Sequence, residues 1–387
     1  MRVIHSAREQ LAELLLGTAP AQIDAGAWDE LAQLAQRCRV TPQLVARIEK
    51  LALKIPEAAA FKLQRQLADA FRRSAMRASK GIAAMTALRD EGIRAAAFKG
   101  LAAMARLYDG PKWRTVNDAD VLLLESDVAR AVACLESRGF VRQIEAELDE
   151  YSKFVAHSPS FAGNQAIALL GPAESEIDLH WAIGRGLDAS KVLGRASPAR
   201  LLGEDFLAVS DEDGLLLTVR HAMREDLQID GACRDLCDAR LWFRRLEENG
   251  CLAAAIRCAE ESGMTAQVCA IAEILRSYDS STPAFAAPRR EQRMGLALAE
   301  LFRVQLRDGP IGKDLAYLVH PAPARQMIAG LARDWSSYRR IMRDFEQQML
   351  GGPLPWWRRA GRLAQAVRRS GLRRLRLVRT LARVKYD

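Results

Sequence analysis

No run of roughly 18 or more apolar residues occurs in the 387-residue sequence, which excludes a conventional membrane-spanning helix. Met1 to Leu16 (MRVIHSAREQLAELLL) lacks the uninterrupted apolar centre and small-residue cleavage site of a secretory leader, because charges are spaced through it. The 7 cysteines are odd in number and mostly embedded in helical patterns, which disfavours a disulfide framework. Cys233 and Cys237 could share a helix face, but no second pair or His cluster completes a zinc set, so they read as core thiols. Internal repeats are absent, as are heptads long enough for a coiled coil. A cytoplasmic protein is expected. The body also lacks a broad positive face. Between Trp356 and Asp387, eleven basic residues stand against Asp387 alone, so this tail accounts for the whole +9 net charge and residues 1–355 are nearly neutral. Basicity therefore does not by itself imply nucleic acid as a partner of the body.

With 49% hydrophobic residues the chain can build sizeable cores, and its length allows two or three domains. From His5 to about Asp90 apolar residues recur every three and four, which predicts an N-terminal helical bundle ending in one long helix over Phe61 to Leu88. Thr41-Pro42 reads as a helix start, with Thr41 as N-cap. Glu91-Gly92-Ile93 ends the long helix, and Arg94 to Phe98 reads as a short buried strand. Gly100 then permits a tight turn into a helix over Leu101 to Tyr108. A strand feeding a turn and a helix start presents free backbone N–H groups to an anion, with Lys99 beside them.

Val116 to Leu124 is rich in β-branched and aliphatic residues and reads as a strand. Residues two apart on a strand share a face, so Asp118 and Asp120 are expected to project together. Two adjacent carboxylates repel unless a cation lies between them, which points to a divalent ion of the hard-oxygen kind. Gln165 to Leu170 and Ser175 to Trp181 read as two further strands. In the second, Asp178 and His180 share one face, while Ile177, Leu179 and Trp181 share the other. The expected architecture is α+β and predominantly helical, with a small mixed sheet between helical regions.

The segments FKGLAAMARLY, RTVNDADVLLL, a helix ending in RGF and IDLHW together resemble the uncharacterised nucleotidyltransferase family of bacteria, a branch of the polymerase-beta-type superfamily. The resemblance implies a nucleotidyltransferase core in which Asp118, Asp120 and Asp178 bind two Mg²⁺ ions. These ions carry the phosphates of an NTP and activate an acceptor hydroxyl. Lys99 and Gly100 stand where better-known members have a Gly-Ser turn, and Asp-Ala-Asp replaces the usual Asp-Ile-Asp. Arg114 and His180 match residues recurrent in the branch and are assigned with Lys99 and Gly100 to nucleotide binding.

The resulting layout is a helical bundle over 1–90, the nucleotidyltransferase-like core over 91–185, a helical domain over 186–350 and a basic amphipathic tail over 351–387. The expected function is Mg²⁺-dependent transfer of a nucleoside monophosphate to a hydroxyl on a small molecule, sugar or protein. The alternative is an inactive binding or accessory protein of the same fold. In the resembled family a His-containing helix and an Asp-bearing helix follow the core. Here His221 and the pair Asp235 and Asp238 occupy such helices, and they read first as solvated or surface-paired groups. The tail carries an apolar stripe among its arginines behind Trp356-Trp357. Three readings stay open for it: an anionic membrane surface, which would make the protein peripheral at the inner membrane, nucleic-acid phosphates, or packing on the body.

Overall fold

The computed structural model describes residues 6–18, 23–142, 166–172, 175–184, 186–224, 229–285 and parts of 287–299. Residues 1–142 and 168–310 form one compact unit, and the account below concerns that unit. The other, 143–167 and 311–387, lies almost wholly outside the described residues, as does the basic tail.

The N-terminal helices are α1 (Ala7–Leu16), α2 (Trp28–Arg37), α3 (Thr41–Lys50) and the 34-residue α4 (Glu57–Asp90). A capping box starts α1: Glu9 N–H donates to Ser6 Oγ, and Ser6 N–H donates to the Glu9 carboxylate at 2.8 Å. Arg47 of α3 closes the other end by donating to the carbonyls of Leu14 and Gly17, which have no partner within the helix. The expected Thr41 cap is displaced. Helix α3 begins at Thr41 itself, and its hydroxyl donates to Gln66 instead of capping a backbone amide.

At about 50 Å, α4 is the longest element of the fold. Leu63, Leu67, Ala70, Ser74, Ala78, Gly81, Ile82 and Met85 line its buried face at spacings of three and four. Small residues occupy the middle of that stripe, where the sheet passes closest.

That sheet has seven strands: β1 (Ala96–Ala97), β2 (Asp118–Leu122), β3 (Val141–Arg142), β4 (Ala166–Gly171), β5 (Ser175–His180), β6 (Ser197–Leu201) and β7 (Glu204–Ala208). Their spatial order is β3-β4-β5-β2-β1-β7-β6. Strand β2 is central, antiparallel to β1 and parallel to β5. Helix α5 (Lys99–Arg106) follows β1, α6 (Val128–Glu136) follows β2, and α7 (Ala189–Arg195) precedes the β6–β7 hairpin. The architecture is α+β and predominantly helical, with a mixed sheet.

The helical domain expected over 186–350 is corrected by that hairpin. Its two connecting residues, Leu202 and Gly203, have φ of 54° and 86°, the twist a two-residue hairpin turn needs. A leucine at positive φ gives no warning in a sequence. Pro198, which lacks a backbone donor, sits in β6 at the sheet's edge, where it is tolerated. Beyond the hairpin come α8 (Asp211–Arg224), α9 (Ile229–Glu248), α10 (Leu252–Glu261) and α11 (Thr265–Tyr278). Ser210 caps α8 by accepting from Asp213 N–H. All seven cysteines are free thiols, with Cys233 and Cys237 buried in α9. Among the described residues no helix is long and apolar enough to cross a membrane.

Ala119, between the two aspartates of β2, faces away from them and meets α4. A Cβ added to Gly81 would lie 2.6 Å from the Ala119 Cβ, so helix and strand touch through their two smallest side chains. The alanine that replaces the customary isoleucine thus fits a helix packed closely behind the acidic strand. Gly81→Val is expected to destabilise the fold by about 1–3 kcal/mol through overpacking, read by urea unfolding. An unchanged midpoint would show that this contact can relax.

Candidate active site

The parallel register of β2 and β5 aligns Asp120 with Asp178 and Asp118 with Glu176. Since alternate residues share a face, Asp118, Asp120, Glu176, Asp178 and His180 all belong to the sheet face opposite Ala119. Four carboxylates and an imidazole on one patch form an electrostatically crowded surface. Glu176 was not anticipated, although the alternation Glu176, Asp178, His180 in the sequence already placed it on this face.

Asp120 is at the centre and is 3% exposed. Its Oδ1 accepts from the Lys99 ammonium at 2.6 Å and from His180 Nε2 at 2.9 Å. Burial would raise its pKa, but Lys99 and His180 overcome that effect and hold the carboxyl well below its usual range. An ionised carboxylate only accepts, so His180 carries its proton on Nε2. Burial lowers the His180 pKa. The imidazole also packs edge-on against Phe98, with ring centroids 4.8 Å apart.

Asp178 behaves oppositely. Burial, then the charges of Asp120, Asp118 and Glu176, push its pKa up to about 7. Its Oδ1 is buried and has no hydrogen-bond partner. That oxygen is therefore available to a ligand beside the Asp120 carboxylate. Asp120, Asp178 and His180 each bring one ligand atom within 4.8 Å of the others. Two carboxylates suit a divalent cation of the hard-oxygen kind, while His180, with its Nε2 proton on Asp120, stands beside them and orients that carboxylate. Asp118 is half-buried at the start of β2 and stands outside that tight set, yet lines the cleft beside it.

That cleft has a volume of about 330 Å³. Lys99 and Gly100 open α5 on its wall. Lys99 has a φ of 48°, left-handed backbone that is unfavourable for a side chain of this size. The residue is held in that conformation with its ammonium on Asp120. A Cβ on Gly100 would come within 3.1 Å of Val116 Cγ2, so this turn packs directly on the segment leading into β2. That segment is fixed from α4, where Ser74 Oγ accepts from Val116 N–H and Arg77 donates to Asn117 Oδ1, both at 3.1 Å.

Arg114 also lines the cleft, but its guanidinium is engaged by Asp238 of α9. Nη2 donates to Oδ2 at 2.7 Å and Nε lies 3.0 Å from each carboxylate oxygen, with both residues 2% exposed. The Tyr108 hydroxyl donates to the same carboxylate at 2.8 Å. Asp238 overcomes the effect of burial and raises the Arg114 pKa. One turn earlier, Asp235 takes His221 Nδ1 at 2.7 Å and is 4% exposed. The two acids of α9, read from sequence as solvated or surface-paired, are instead buried and paired with residues of the cleft. Their spacing of three showed a shared face, and nothing local showed that the face is covered.

The sequence profile of the uncharacterised nucleotidyltransferase family matches residues 24–278. This span takes in α2 to α4 of the N-terminal region, the whole acidic patch and both helices bearing His221 and Asp235. The chain belongs to that family. No curated protein matches the chain.

Two outcomes are expected. Removing Arg114 leaves the Asp238 carboxylate buried without its cation, so Arg114→Met should cost about 3–5 kcal/mol in urea unfolding, with much of the loss restored in R114M/D238L. The second concerns pH. The folded chain binds the Asp178 proton more tightly than the unfolded chain between 3.8 and about 7. Its contribution to stability is therefore present at low pH and lost as pH rises through that window. With a chelator present, the stability advantage of Asp178→Asn over the wild type should grow from about pH 5 to about pH 8. A difference independent of pH would refute the raised pKa.

Proposed function

We propose that the protein is a divalent-metal-dependent nucleotidyltransferase that moves a nucleoside monophosphate from an NTP onto an acceptor hydroxyl of a small molecule, sugar or protein. Family membership supports nucleotidyl transfer in general. The observation that carries the specific reading is the register of Asp120 against Asp178, which gathers carboxylates on one face and leaves a buried Asp178 oxygen without a partner.

In this reading Asp118, Asp120 and Asp178 hold Mg²⁺, two ions being expected, with His180 orienting Asp120. When bound, such ions lower the pKa of the attacking hydroxyl and neutralise charge on the entering and leaving oxygens. Asp178 accepts the hydroxyl proton as the acceptor oxygen bonds to the α-phosphorus. The bond from that phosphorus to the bridging oxygen breaks, and pyrophosphate leaves. Lys99 and the first turn of α5 face the phosphates, where a fixed ammonium and backbone N–H groups stabilise anionic oxygens. Arg114 acts through Asp238 by holding α9 against the cleft.

A second reading, a nucleotide-binding protein without turnover, is favoured by one observation: Lys99 already neutralises Asp120 at 2.6 Å. Pyrophosphate release measured with each NTP and Mg²⁺ or Mn²⁺ separates the two. Asp118→Asn and Asp120→Asn are expected to lower turnover more than about a hundredfold while the circular dichroism spectrum is retained. Full activity in either variant would sink the mechanism. Metal-dependent NTP binding without pyrophosphate release would establish the second reading.

A further inference from the structure

Three guanidinium groups in the cleft have no part in the chemistry above. Arg37 and Arg39 stand at the turn between α2 and α3, Arg234 stands on α9, and all three line the cleft beside Lys99 and Asp118. Arg37 and Arg39 are exposed, while Arg234 is half-buried with its Nε lacking a partner. Among the described residues none of the three forms an ion pair. The acids nearest Arg234 are already committed, Asp235 to His221 and Asp238 to Arg114 and Tyr108. Burial, Arg114 and Arg39 disfavour the charge on Arg234 more than the nearby Asp235 and Asp238 favour it.

Paired acids and arginines without ion-pair partners thus line the same cleft. The turn that carries them is fixed to the site: Thr115, the neighbour of Arg114, donates its hydroxyl to the Arg39 carbonyl at 2.7 Å. Arg39 is held there at a φ of 59°, in the left-handed region. Guanidinium groups that line the cleft without ion-pair partners of their own, next to carboxylates suited to a divalent ion, complement a ligand that is itself polyanionic and able to bind metal. Arginine suits phosphate because its planar fork donates to two oxygens at once.

We propose that Arg37, Arg39 and Arg234 form a subsite for the polyphosphate tail of the nucleotide, so that the N-terminal helices supply one wall of the active site. This assignment rests on the nucleotidyltransferase reading for the identity of the ligand and on the cleft itself for the subsite. It selects nucleoside triphosphates over monophosphates, because the recognised charge lies beyond the α-phosphate.

The test is titration of the full-length chain with inorganic tripolyphosphate in EDTA, followed by calorimetry. The wild type is expected to bind, with R37A/R39A and R234Q each weakening affinity by about tenfold or more. Arg72→Ala, an exposed arginine of α4 outside the cleft, is expected to bind as the wild type does. Because Arg37 and Arg39 are exposed, R37A/R39A should keep its fold, and circular dichroism checks this. Wild-type affinity in R37A/R39A, or no binding by the wild type, overturns the subsite. If tripolyphosphate binding follows the expected pattern but the wild type transfers no nucleotide, the subsite stands and the transferase reading fails. If transfer proceeds with an unchanged KM for NTP in R37A/R39A, the transferase reading stands and the subsite falls.

Discussion

Two carboxylates held in register on adjacent parallel strands, with little water to screen them, set the terms for the whole site. Asp120 and Asp178 cannot both be ionised at low cost in such surroundings. The chain resolves the conflict asymmetrically. Asp120 receives the ammonium of Lys99 and the imidazole of His180 and stays charged, while Asp178 receives neither and is driven towards neutrality. Two aspartates of the same intrinsic chemistry thereby acquire opposite proton affinities.

The geometry behind that asymmetry depends on supports some distance from it. Helix α4 backs the acidic strand through Gly81 and fixes the residues before it through Ser74 and Arg77. Helix α9 closes the cleft through a buried ion pair, Arg114 with Asp238, shared with Tyr108. A buried pair of this kind contributes little net stability compared with apolar packing, yet each partner strongly constrains where the other can be. It is better understood as a clamp that fixes the position of α9, and with it Asp235, His221 and Arg234, relative to the acidic strand. The family profile runs from the N-terminal helices to the end of α11, in keeping with a site whose walls come from both helical regions.

Local backbone conformation shows the same division of tasks. Lys99 and Arg39 occupy left-handed conformations that glycine would adopt with less strain. Both carry cations that line the cleft, and the one on Lys99 reaches Asp120. Where the resembled superfamily places a Gly-Ser turn, this chain places Lys-Gly, and the lysine side chain reaches the central carboxylate. The turn therefore carries a fixed positive charge onto the central carboxylate.

The strands and helices near the site were legible in the sequence because their signals are local. The alternation through Asp118, Asp120, Asp178 and His180 showed which side chains share a face, and the helical period placed one long helix over Phe61 to Leu88, within the observed Glu57–Asp90. The hairpin over 197–208 was not legible, since Leu202 carries no turn signal and takes positive φ only because the paired strands require it. Nor could sequence alone bring Asp238 to Arg114, 124 residues away, or Arg39 beside Arg234. Spacing of two or three residues determines which side chains point together. Only tertiary packing decides which faces lose their water, and that loss raises Asp178 towards neutrality, buries the acids of α9 and leaves three arginines facing the cleft.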